Sequence, residues 1–415
     1  MEIQMVATTL TKPINTVKNA YLDWRFDQPN DFNLLGQRVA SLAAVKPMIA
    51  QIKADGFTGL VLNTNVPIDP KTGKLMLYDS TPGAYNPDKN LPKDTWAVVN
   101  FARKSGLAVS INFNIVNYHD DSAITTSSVG SGFSADTFFK DVGAYESKIA
   151  ATAKKNGVGV IGIGVCQSGF ESNQYKDQWQ AVIGDIRKSF SGKLSYTTGA
   201  ADTPIWSMVD IIGALGWDRP DDALGRMNSL KDLYHKPVYV EGITAGGGDM
   251  QATNIKNILK AAIVDHKNDL DGLSFHEFAA WKHANWLENP QNDADRNFLS
   301  SHGYTNDLYN KEATNAFTNW FNYSTAPVTG TAKSDRLAVY AGDKTVDGGA
   351  GVDTVVVLNK AKDCKLTFDS PGHFTLVNNT EGTNKLLNCE YIQFVDTRVS
   401  LIGHQNFSQY GWTSW

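Results

Sequence analysis

The stretch VGVIGIGVCQSGFESNQYKDQWQAVIGDIRKSFSGKLSYTT, residues 158–198, decides the fold. It opens on a run of Val, Ile and Gly from Val158 to Cys166 with no polar alternation, as expected of a parallel strand buried on both faces. It then places Trp179, Val182, Ile183, Ile186 and Phe190 at helical spacing, and closes on a second strand, Lys193 to Thr198. Strand, amphipathic helix, strand is the repeating unit of a parallel sheet covered by helices.

Working outward, the unit recurs. Strand-like segments run from Val17 to Asp23, Phe57 to Asn63 and Leu107 to Ile115 before it, and from Val209 to Trp217, Pro237 to Glu241 and Leu273 to Phe278 after it. Asp94 reads as the N-cap of the helix TWAVVNFARKSG, with Gly106 as its C′ residue. Ala313, Phe317, Trp320 and Phe321 form a later helical stripe. Strand and helix alternating eight times predict an α/β protein built as a (β/α)8 TIM barrel. A doubly wound sheet usually carries a Gly-rich phosphate turn after its first strand, and here that place reads DWRFDQPND. The pattern changes after Asn322. Ser324 to Ser334 is small, polar and Pro/Gly-bearing, a linker composition. Leu337 to Ser400 holds short β-like runs parted by Gly, Asn and Asp. The expected organisation is a barrel over 1–325 and a small all-β domain over 326–415.

Composition narrows the function classes. The 415 residues carry 38 basic and 43 acidic side chains, a net charge of −5, with no Lys/Arg block, so no footprint for nucleic acid exists. No apolar run is long enough for a transmembrane helix. Three Cys exclude a disulfide framework, although Cys364 and Cys389 both fall in the β region. The N-terminal stretch has neither a basic n-region nor an apolar h-region, so a Sec-type signal is not expected. The 10 Trp fit either sugar-stacking platforms or a large core.

Functional residues of such a barrel lie at the C-terminal ends of its strands. Those ends offer carboxylates, amides and indoles, and lack a GxSxG elbow, a GK[ST] phosphate loop and an HExxH pair. Carboxylates among Trp and Asn suit glycoside hydrolysis, which needs one acid to protonate the leaving oxygen and one carboxylate as nucleophile or base. Glu241, after the buried run VYV, is the candidate nucleophile. Glu171, on the loop after strand four, is the candidate acid, with Glu277 and Asp202 as alternatives. Trp24, Trp217 and Trp281 are candidate sugar platforms, and Asn63, Asn114, His119 and Gln167 candidate polar contacts. Cys166 reads as a small hydrophobe.

Five segments together resemble the barrel of glycoside hydrolase family 113, whose members include endo-β-mannanases. They are GFTGLVLNTNVPIDPKTGKL, SGLAVSINFNIVNYHDD, VGVIGIGVCQSGFES, KLSYTTGAADTPIWSMVDIIGALGWD and KPVYVEGITAGGGD. The resemblance runs from about Asp55 to Trp286. It implies a catalytic barrel with Glu241 in the nucleophile position and Trp281 in a sugar-stacking position. It also carries a departure. The family's acid/base Glu stands directly at the end of strand four, where this chain reads Val165-Cys166-Gln167.

In the tail, GGAGVDTVV (Gly348 to Val356) resembles the GGxGxDxUx calcium repeat of RTX proteins, and YAGDKTVDG before it resembles a decayed partner repeat. NKLLNCEYIQFVDTRVSLI resembles the strand pair that closes such tails in type I-secreted bacterial proteins. That likeness implies Asp353, with Asp347 and Asp343, as calcium ligands, a type I secretion system as partner and an extracellular or cell-surface location; cytoplasmic is the alternative. The combined expectation is a secreted, retaining glycoside hydrolase acting on a polysaccharide with no catalytic cofactor. The alternative is a non-catalytic carbohydrate-binding or cell-surface protein on a barrel that has lost its acid.

Overall fold

The computed structural model describes residues 17–23, 42–54, 56–76, 94–119, 122–200, 202–215, 229–243, 251–265, 271–275, 311–378 and 381–403. Eight parallel strands close into a barrel: β1 (Val17–Asp23), β2 (Gly59–Ile68), β3 (Ala108–Asn117), β4 (Val160–Val165), β5 (Lys193–Thr198), β6 (Ile211–Leu215), β7 (Val238–Ile243) and β8 (Gly272–Phe275). Closure comes from β1 pairing with β8, Val17 opposite Gly272 through Ala20 opposite Phe275. Five helices interleave with the first six strands: α1 (Leu42–Ala54), α2 (Thr95–Lys104), α3 (Ala135–Lys155), α4 (Lys176–Arg187) and the short α5 (Ile205–Met208). The expected TIM barrel is therefore present, with strand five at the predicted bounds.

The helix layer follows from the apolar stripes. On α4, Trp179, Val182, Ile183 and Ile186 are buried, and Phe190 is buried just beyond. The Trp179 indole N–H donates to the Phe170 carbonyl at 2.9 Å, and that of Trp206 donates to the Tyr196 carbonyl at 3.1 Å. Both rings are fully buried, so these Trp residues serve the core rather than a sugar. Gly106 takes the left-handed φ of 84° that a C′ residue needs. Asp94 departs from expectation. Its side chain makes no capping bond to α2; instead its Oδ2 accepts from the Leu42 backbone N–H, at the start of α1, at 2.8 Å. A carboxylate satisfies whichever orphan helix-start N–H packing brings closest, and here that N–H belongs to the neighbouring helix.

The described chain divides into two compact units. One holds β1–β8 with α1–α5. The other holds the helices Gln251–Lys260 and Lys311–Phe321 together with the β strands after residue 326. Within this second unit, Glu381 is almost wholly buried. It accepts from the Asn319 amide and pairs with Lys256 at 3.0 Å, so one carboxylate ties both helices to the β strands.

The β strands are β9 (Val328–Thr329), β10 (Arg336–Val339), β11 (Lys344–Asp347), β12 (Thr354–Val357), β13 (Lys365–Ser370), β14 (His373–Asn378), β15 (Gly382–Leu387), β16 (Tyr391–Gln393) and β17 (Arg398–Ser400). From β9 to β12 the chain alternates between two sheets, pairing parallel within each: β9 with β11, and β10 with β12. Leu337, Val346, Val355, Leu366, Leu386 and Ile392 belong to the apolar core of these strands. The stretch read as a linker thus contains a strand, Val328–Thr329, and its GTAKSD turn lies beside the DGGAGVD turn of the next coil. There the Val352 N–H donates to Ser334 Oγ at 3.2 Å.

One feature of the barrel unit opposes folding. Glu146 on α3 is fully buried and neither carboxylate oxygen has a hydrogen-bond partner. Burial alone holds its carboxyl well above the usual carboxylate range. The folded state therefore keeps a proton that the unfolded state releases at the ordinary value. Stability is greatest below that value and declines as pH rises towards the raised one. Glu146→Met, which removes the unpartnered buried polar group, is expected to stabilise the protein at neutral pH by about 1–3 kcal/mol. It should also flatten the decline of stability with pH, as read from thermal melts across the pH range; equal melts for both proteins would contradict this.

Candidate active site

The site begins with the alternation of β5. Successive side chains of a strand point to opposite faces. Tyr196 packs edge-on against Trp179 of α4, with ring centroids 5.5 Å apart, which places it on the helix side. Thr197 therefore faces the barrel interior and Thr198 faces outward. All three are buried.

Glu241 lies on β7 opposite Leu215, at the C-terminal end of the barrel, and is 6 % exposed. The Thr197 hydroxyl donates to its Oε2 at 2.5 Å. The two residues sit on strands separated by β6, and they meet because β6 carries Gly213 between them. A Cβ at Gly213 would lie 2.2 Å from Thr197 Oγ1 and 2.9 Å from the Thr197 Cα. One layer further in, a Cβ at Gly162 would lie 2.0 Å from Asn112 Oδ1. Below Glu241 a cavity with room for about one water is lined by Val61, Ser110, Asn112, Ser195, Tyr239 and Glu241. Burial pushes the Tyr239 phenol up to about 12, with the Glu241 charge adding to the shift.

The amides of β2 and β3 form two rungs. Asn112 Nδ2 donates to Asn63 Oδ1 at 3.2 Å, and one layer nearer the strand ends Asn114 Nδ2 donates to Asn65 Oδ1 at 3.2 Å. Asn65 is 3 % exposed and its Nδ2 has no hydrogen-bond partner, whereas Asn114 is half-buried. His119 is exposed on the loop after β3, where its charge helps hold the Asp69 carboxyl below the usual range, behind the hydrogen bonds from Thr72 and the Lys71 backbone.

Glu171 is anchored on the other face of β5. Tyr196 Oη donates to its Oε2 at 2.8 Å and Thr198 Oγ1 to its Oε1 at 3.1 Å, while Thr203 Oγ1 donates to its backbone carbonyl at 2.8 Å. Burial pushes the Tyr196 phenol well above its ordinary value, and the Glu171 charge pushes it further. Gln167, expected to contact substrate, is instead wholly buried. Its amide donates to the Val165 and Ile115 carbonyls at 2.6 and 3.4 Å, because the irregular end of β4, with Cys166 at φ 54°, leaves those acceptors to be satisfied. Burial also raises the Cys166 thiol, consistent with a small hydrophobe rather than a nucleophile. Asp202, the other described alternative acid, accepts from the Tyr234 hydroxyl. Trp24, Trp217, Trp281 and Glu277 lie outside the described residues.

The expected calcium ligands are not brought together. Among the described residues no three His, Cys, Asp or Glu side chains converge as metal ligands. Asp343 accepts from the Thr383 N–H, Asp347 from the Gly349 N–H and Asn388, and Asp353 from the Asp335 N–H. These carboxylates latch turns of the β region to one another.

Thr197, Asn112 and Tyr239 were not singled out from the sequence. The signal was available: Ser195 and Thr197 put polar side chains at alternate positions of a buried strand, as Tyr239 and Glu241 do on β7.

The barrel thus presents an interior carboxylate at the end of β7, a second held against β5 and paired amides on β2 and β3. Residues 72–248 match the model of Glycoside Hydrolase Family 113, a span running from the loop after β2 through β7 and including Glu171, Thr197 and Glu241. The structure is similar to that of a GH113 β-1,4-mannanase solved as a complex, at 13% identity over 75% of this chain and 100% of that chain, with a TM-score of 0.55. It is also similar to the GH113 β-mannanase of Alicyclobacillus acidocaldarius, at 15% identity over 74% of this chain and 97% of that one, with a TM-score of 0.54. No match was found among curated proteins. The expected likeness to this family and its TIM-barrel relatives holds.

The gap at Gly213 is directly testable. Gly213→Ala forces its Cβ into the Thr197 backbone, so it is expected to lose about 1–3 kcal/mol of stability, as overpacking does. Hydrolytic activity should fall with it. A variant with the melting temperature and turnover of the parent would contradict the placement of Thr197 and Glu241 across β6.

Proposed function

We propose that the chain is a retaining glycosidase acting on a β-1,4-linked polysaccharide, with mannan the first substrate to test and Glu241 the nucleophile. The observation that carries this reading is Glu241 itself: a buried carboxylate at the interior end of β7 that accepts a hydrogen bond from the Thr197 hydroxyl. An oriented carboxylate at that place is the group that attacks an anomeric carbon in a retaining mechanism. The mannanase names of the structural relatives suggest the substrate.

Glu171 is proposed as the acid/base, and its geometry states what that role demands. Retention requires the two carboxyls to lie about 5–5.5 Å apart in one cleft. Tyr196 and Thr198 hold Glu171 on the helix side of β5, so it must leave one of them to reach a glycosidic oxygen above Thr197. A second reading is favoured by the occupation of both its oxygens. In that reading Glu171 clasps the loop after β4 to β5, and the acid stands elsewhere on the rim.

The β strands after residue 326 are proposed to serve export, which gives an extracellular location. Their parallel two-sheet coil and the GGAGVD turn support that reading.

Reducing-sugar release on a polysaccharide panel tests the hydrolytic roles. Glu241→Gln is expected to abolish release, by at least about 1,000-fold; retained activity would remove Glu241 from the nucleophile role. Glu171→Gln as acid/base should be slow on polysaccharide yet regain rate with azide on an activated aryl glycoside. A lower melting temperature with unchanged turnover would make Glu171 the clasp.

A further inference from the structure

We infer that Thr197 is the positioning residue of the nucleophile: its hydroxyl, reaching across the gap at Gly213, sets the rotation of the Glu241 carboxylate. The inference rests on the reading of Glu241 as nucleophile and adds a residue to it.

Three observations converge. The hydroxyl of Thr197 donates to Glu241 Oε2 in a buried site. Thr197 is itself 2 % exposed and β-branched, so its χ1 is restricted and it has little room to turn. Gly213 clears the path, since any side chain there would displace the hydroxyl. A carboxylate on a two-carbon tether rotates freely in water. Fixing one oxygen fixes the plane of the group, and with it the direction in which the second oxygen points. Attack on an anomeric carbon depends on that direction, and pre-set orientation lowers the barrier without tightening substrate binding.

β5 thereby organises both carboxylates through three consecutive residues. Thr197 serves Glu241 on the inner face, while Tyr196 and Thr198 serve Glu171 on the outer face. The inner contact spans two strands and needs the gap in β6. The outer contacts are made to the loop that follows the adjacent strand, β4, and need none. A threonine whose only task was to fill volume could be replaced by valine, its apolar isostere, at no catalytic cost; a threonine that orients the carboxylate could not.

The test compares Thr197→Val, Thr197→Ser and Glu241→Gln in the full chain on the substrate that the wild type hydrolyses in the panel. Thr197→Val keeps the shape and removes the hydroxyl. It should lower kcat by about 10- to 100-fold, the worth of one hydrogen bond to a charged group, with KM within about twofold. Thr197→Ser keeps the hydroxyl and should restore most of kcat. If Thr197→Val does not fold, Thr197→Ala against Thr197→Ser gives the same comparison. The inference is overturned if the valine variant keeps its kcat, if the loss lies in KM alone, or if serine and valine fall equally. Glu241→Gln separates the two levels. Inactive Glu241→Gln with fully active Thr197→Val sinks the role of Thr197 alone, whereas active Glu241→Gln sinks the nucleophile and this inference with it.

Discussion

Everything in the barrel unit depends on the closure of its sheet. Pairing of β8 with β1 turns an open parallel sheet into a ring, and a ring has an inside. Once the inside exists, the two-residue period of each strand sorts its side chains without further instruction. Ser195, Thr197, Asn112, Tyr239 and Glu241 are sent inward, while Tyr196 and Trp179 meet in the helix layer. Polar residues in such an interior would oppose folding if they stood alone. Here Thr197 pairs with Glu241, and Asn63 with Asn112, so these desolvated groups are matched within the ring.

Glycines set where those partners can meet. Gly162 of β4 and Gly213 of β6 flank β5 on either side, and a Cβ at either would collide with the side chain that crosses it. Their absence of side chain costs backbone entropy in a strand. The return is contact between strands that are not neighbours, which is how Thr197 of β5 reaches Glu241 of β7. The contrast with Glu146 is instructive. That carboxylate is as buried as Glu241 but has no partner, and it lies on a helix far along the chain from the strand ends. Burial of a carboxylate is therefore not by itself a mark of function in this protein.

The strands were legible because parallel strands buried on both faces read as unbroken Val, Ile, Leu and Gly, and eight such runs admit few architectures. The helix stripe Trp179 to Phe190 was legible for the same reason of periodicity. Asp94 was not, because the sequence shows a capping residue and its nearest helix, while the bond goes to a helix start that only packing brings near. Gln167 reads as a substrate contact because a polar residue at a strand end looks available. The irregular end of β4 consumes its amide instead. Val328–Thr329 hid inside a linker composition, since two residues are too few to show a period. Glu171 was placed at the right end of the barrel, but which face of β5 it joins is settled by Tyr196 and Thr198, two residues whose direction only the strand register reveals.

The central claim is that Glu241 makes the covalent bond to sugar. It is tested most directly by treating the protein with a 2-deoxy-2-fluoro-β-glycoside bearing an activated leaving group, digesting it and sequencing the labelled peptide by mass spectrometry. The account predicts one glycosyl adduct on the peptide spanning β7, carried by Glu241. An adduct on Glu171 or any other residue, or the absence of any adduct while polysaccharide is still cleaved, would contradict it.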